Sequence, residues 1–148
     1  MTTTIDIPPE LSVEYDRVAY RGQGVQIYQC GPPDGTWIFQ APRASLYDDD
    51  GHLVAEHFSG PTWQAADGST VVGRVISKFT PDETAIPWLL LEAASSTGDG
   101  SFSRVKYIQR LNTVDGTAPP DPCQKCELVE VDYSALYVFH SLKAPISG

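Results

Sequence analysis

Asp-Gly occurs five times along the chain, as Asp34-Gly35, Asp50-Gly51, Asp67-Gly68, Asp99-Gly100 and Asp115-Gly116, with the aspartates 16, 17, 32 and 16 residues apart. No other feature narrows the fold as much. Both residues tolerate the positive φ that tight hairpin turns demand, so the dipeptide marks points where an extended chain reverses. Pro81-Asp82, a further turn dipeptide, stands near the middle of the doubled interval. The rhythm predicts a meander of antiparallel strands. The segments between the turns do not resemble one another, so it is not a sequence repeat.

Those segments read as strands. Val25–Gln29 alternates, and so does Val105–Leu111, with Val105, Tyr107 and Leu111 on one face. Gly73 lies between Val71-Val72 and Val75-Ile76, which predicts a bent or bulged strand. Val129, Val131, Tyr133, Ala135, Tyr137 and Phe139 share one parity. The positions between them pass from Glu130 and Asp132 to Leu136 and Val138, as in a strand that starts half exposed and ends buried on both faces. Trp88–Ala94 has good helix formers, but turns on both sides fit a hairpin with 102–111, and strand is the favoured reading. A short turn around Pro9–Tyr15 is the other helix candidate. The expected fold is all-β, an antiparallel meander of about seven or eight strands forming a barrel or a two-sheet sandwich. It reads as one domain over 1–148, with 1–20 as an N-terminal extension and one long, Pro-rich loop, Asp115–Glu127.

Composition bears on partners and compartment. Ten Lys plus Arg against nineteen Asp plus Glu give a net charge of -9. Such a surface repels phosphate backbones and anionic lipid, so neither nucleic acid nor membrane is an expected partner. No run reaches the roughly 18 apolar residues of a spanning helix. The opening Met1–Glu10 has no basic start and no apolar stretch, so it does not read as a signal peptide. The expected location is extracytoplasmic or secreted if a leader was removed, and otherwise cytoplasmic.

The reactive residues suggest several sites and exclude others. Cys123 and Cys126 have the spacing of a metal knuckle or redox pair, but only Cys30 and three scattered histidines remain to complete a four-ligand zinc site. A redox pair wants a helix start, and this one lies in a Pro-rich loop. The commoner alternative is a bond from one of these cysteines to Cys30. His52 and His57 have opposite parity on one strand, and His140 is remote, so a three-histidine metal site is not expected. His57 reads as a single buried histidine of core or pocket. Asp48-Asp49-Asp50-Gly51 lacks the alternating ligands and the later Glu of an EF-hand loop, and reads as a solvated turn. No nucleophile elbow, phosphate loop or dinucleotide fingerprint occurs, and no cofactor is implied. Gln109 and Arg110 are polar where a strand should be apolar, and with Trp63 and Trp88 they form a candidate concave site. The competing reading is an exterior face of Lys106 and Arg110 over an ordinary aromatic core.

Five blocks in order carry a family resemblance: Gly24–Cys30, His57–Trp63, Asp67–Ser69, Ala85–Leu91 and Tyr107–Thr113. Together, from about Gly24 to Phe139, they resemble the family called domain of unknown function 3455, found in bacteria and fungi with many exported members. The resemblance brings no activity with it. It implies a Cys30–Cys123 disulfide, with Cys126 as an extra cysteine. Set beside the candidate pocket, it leads to a β domain that binds a small apolar or aromatic molecule through His57, Trp63, Trp88, Gln109 and Arg110. A rival is a small cofactor-free enzyme (cyclase, isomerase or hydrolase) with His57 as base and Arg110 steadying negative charge. A third reading is a secreted structural or interaction protein without a pocket. A polar cavity around His57 favours the enzyme, an apolar cavity the binder, and a filled core the third.

Overall fold

The computed structural model describes residues 15–31, 35–124 and 126–142. The expected turn around Pro9–Tyr15 lies almost wholly outside the described residues, as does Asp34. Eight strands follow one another: β1 Tyr15–Gly31, β2 Thr36–Tyr47, β3 Leu53–Phe58, β4 Thr62–Ala65, β5 Thr70–Phe79, β6 Trp88–Thr97, β7 Val105–Asp115 and β8 Leu128–Leu142. Each pairs antiparallel with the next, and β1 pairs with β8, so the sheet closes on itself as an up-and-down barrel. Closure pairs every strand on both sides over part of its length, while Thr36–Arg43 of β2 and Gly73–Phe79 of β5 pair on one side only. No helix occurs among the described residues, and none is long and apolar enough to cross a membrane. Trp88–Ala94 is strand, because its hydrogen bonds go to β5 on one side and β7 on the other.

Residues 15–20 belong to β1 and pair with β8. Of the turn dipeptides, Gly51 (φ 82°) and Gly68 (φ 92°) do supply the left-handed residue of tight turns. Asp99-Gly100 sits in a wider loop where Gly98 takes the positive φ instead, and Asp115-Gly116 opens the long loop 116–127. The expected bulge at Gly73 is present, as a register shift between Val72 and Gly73.

Alternation sorts the interior, but bulges decide its sense. In β7 the register shifts between Val105 and Tyr107, so Val105, Ile108 and Arg110 face the lumen and Tyr107, Gln109 and Leu111 face away. The single face expected for Val105, Tyr107 and Leu111 is therefore broken. In β8 the inward set Tyr133, Ala135, Tyr137 and Phe139 is buried as expected, whereas Leu136 and Val138 are only half-buried. In β1 the lumen takes Gln26 and Tyr28 rather than Val25 and Ile27. Gly22 stands where a Cβ would lie 2.6 Å from the Tyr137 ring, so this bare stretch of β1 makes room for that ring.

The two ends of the barrel differ. At the end carrying the β2–β3, β4–β5 and β6–β7 connections, Phe102 drops in from its loop and stacks on Phe139 at 4.6 Å. The Asp67 carboxylate holds that plug. It accepts from the Ser69 backbone and hydroxyl and from both groups of Ser101, while the Ser69 hydroxyl accepts from the Phe102 N–H. These donors keep the Asp67 carboxyl well below the usual carboxylate range. At the other end, Cys30 and Cys123 form the disulfide, joining β1 to the long loop. Cys123 N–H to Gly35 O, at 3.0 Å, and Trp37 Nε1–H to Asp121 O, at 3.1 Å, tie the same loop to the start of β2. Cys126 is exposed and free.

Candidate functional site

The disulfide-linked end of the barrel is open. A cavity of about 530 Å³ runs into it, within the size range of small-molecule pockets, roughly 300–1,000 Å³. Buried His57, Trp63, Leu91, Arg110 and Tyr137 line its inner part, and Phe39, Ser59, Gly60, Val75 and Lys78, all exposed, form its mouth. Between them stand Tyr28, Pro42, Ile86 and Leu89. The wall is mostly apolar because inward positions of a closed barrel must pack.

His57 arrives from β3 and Trp63 from β4, a cross-strand pair whose rings stack at 4.3 Å. Tyr137 meets both edge-on, at 5.3 and 5.9 Å. His57 Nδ1 lies 2.9 Å from the Thr62 carbonyl, which can only accept, so the proton sits on Nδ1 and Nε2 carries the lone pair. Burial, above all, pushes the imidazole down to about 3; the Arg110 charge lowers it further while the Thr62 bond opposes the shift. His57 is thus a neutral hydrogen-bonding group at physiological pH.

Arg110 projects from β7 between Leu89 of β6 and Tyr137 of β8. Its Nε and Nη2 both donate to the Pro87 carbonyl, at 3.0 and 2.9 Å, and it hydrogen-bonds the Tyr137 hydroxyl. Tyr137 in turn shares a 2.7 Å bond with the Tyr133 hydroxyl, and burial raises both phenols above the usual range. Beside this set, Trp63 Nε1 and Gln26 Oε1 are buried without a hydrogen-bond partner. Such groups cost about 1–3 kcal/mol each.

The structure brings together His57, Trp63 and Arg110 of the five expected residues, and places two elsewhere. Trp88 faces away from the lumen and packs edge-on against Phe79, centroids 6.2 Å apart. Gln109 is buried on the barrel's outer side, its Oε1 2.9 Å from His140 Nε2. Neighbours on a strand point to opposite faces, so Gln109 and Arg110 cannot share one pocket. The cavity also uses Gln26, Tyr28, Phe39, Lys78, Leu89, Leu91 and Tyr137, which the sequence reading passed over. Gln26 carried the one available signal, a polar residue between Val25 and Ile27. His52 sits at the opposite end beside Asp48 and Asp50. There Asp48 Oδ1 accepts from the Asp50 and His52 N–H groups, as in the solvated turn expected for that run.

The family model described as Protein of unknown function (DUF3455) matches residues 12–141. The chain belongs to that family. No curated protein and no solved structure matches it.

Proposed function

We propose that this chain is a small-molecule-binding β barrel that admits an apolar or aromatic ligand through its disulfide-linked end. The observation that carries the reading is the cavity of about 530 Å³, open at one end and closed at the other by Phe102 and Phe139. A barrel selected only for packing would fill this half as it fills the other. The enzymatic alternative, with His57 as base, draws less support: a base works best with a pKa near the operating pH, and His57 is held at about 3. The disulfide supports an oxidising compartment outside the cytoplasm.

The test uses N-phenyl-1-naphthylamine, a neutral apolar fluorophore, titrated into the oxidised protein. Saturable one-to-one enhancement is expected, and Leu89→Trp, which fills the cavity from its wall, should abolish it while the barrel's circular dichroism persists. Equal enhancement in both proteins would place the dye on the surface and overturn the reading.

A further inference from the structure

We infer that the ligand is an amphipathic acid, an apolar or aromatic body whose carboxylate sits on Arg110. This rests on the cavity being a binding site and names the chemistry it selects. In a chain with nineteen acidic and ten basic residues, the cavity wall carries Arg110 and Lys78 and no Asp or Glu among the described residues. Two other arginines pair with carboxylates on the surface, Arg43 with Glu130 at 2.8 Å and Arg74 with Glu92. Arg110 is only 8% exposed and has no carboxylate in contact among the described residues.

A guanidinium stays protonated under any ordinary condition, so burial cannot be relieved by losing the proton. An ion taken from water without a counterion is costly, and a carbonyl and a phenol compensate only in part. Two of the five N–H groups go to Pro87 O and a third to the Tyr137 hydroxyl, which leaves two. A carboxylate matches the planar fork that remains better than a spherical anion or a lone carbonyl would. Lys78, exposed at the mouth, adds a second positive charge along the entry path of an otherwise acidic molecule.

The measurement is calorimetric titration of the wild-type protein with matched pairs: 2-naphthoate against 2-naphthamide, and decanoate against decanamide. Each acid should bind roughly 10–100-fold more tightly than its amide, the range of one charge-assisted contact. The naphthyl and decyl arms tell an aromatic from an aliphatic body. Arg110→Met should erase the difference between acid and amide while leaving the melting temperature unchanged or raised. Acid and amide binding equally well would overturn the anion inference and leave the apolar site standing. Binding of neither pair, together with failure of the neutral dye, would remove the site itself. A wild-type-like preference for acid in Arg110→Met, or a lower melting temperature with the preference intact, would make Arg110 a strut for the Pro87 carbonyl and overturn the inference.

Discussion

Among single residues, the buried polar groups separate into two kinds by what completes them. Gln109 Oε1 and His140 Nε2 bond one another at 2.9 Å. Replacing Gln109 with Leu strips His140 Nε2 of that partner, in a ring whose Nδ1 is already without one. The expected result is a loss of about 1–3 kcal/mol in denaturant unfolding, with ligand affinity unchanged because the pair lies outside the lumen. Arg110 behaves the other way in the inference above, since its substitution removes an uncompensated charge. Measured together, the adjacent variants separate a structural polar group from a binding one.

At the scale of strands and loops, stability rests on close approach and on tying loops down. Gly22→Val would drive a branched side chain into the Tyr137 ring, whose atoms lie 2.6 and 2.8 Å from the added Cβ. Overpacking of this kind costs about 1–3 kcal/mol, and the displaced ring would narrow the cavity, so melting temperature and dye affinity should fall together. The Cys30–Cys123 bond spans a sequence separation of 93. Reduction, or Cys123→Ala, is expected to cost about 2–5 kcal/mol by freeing the unfolded chain. Peptide mapping without reductant should recover that pair, and a Cys123–Cys126 bridge would contradict it. At the closed end, Asp67→Ala should lower the melting temperature by releasing the Ser69–Ser101 network that seats Phe102.

For the molecule as a whole, two buried histidines predict a barrel weakened by acid. Burial holds His57 at about 3 and His140 at about 4, both below their ordinary value of 6.5. Between those values the unfolded chain binds protons that the folded one refuses. Stability is therefore fully present above about pH 6.5 and declines as pH falls toward the folded values, by up to about 1.4 kcal/mol per pH unit through His57. Asp67, its pKa lowered by its donors, contributes in the same direction at lower pH still. Urea unfolding between pH 7 and 4 should follow this decline, and His57→Phe should make it shallower, leaving the share that His140 contributes.

Much of the architecture was legible from local chemistry. Asp-Gly turns at 50–51 and 67–68, alternation in β8, and the bulge at Gly73 all follow from φ preferences and from a side-chain period of two, which act within a few residues. They suffice for an antiparallel meander. The resemblance supplied the Cys30–Cys123 pairing, which spacing alone left open. The period of two says that neighbours oppose each other, but it does not say which one faces inward. That sense is set by register with strands distant in the chain, and a single bulge reverses it. The shift between Val105 and Tyr107 turned Arg110 into the lumen and Gln109 away from it. Pairing with β5 set Trp88 beside Phe79, outside the lumen. The closed sheet then brought His57, Trp63, Arg110 and Tyr137 around one space. An alternating pattern shows which residues share a face, and only closure of the barrel determines which face encloses the cavity.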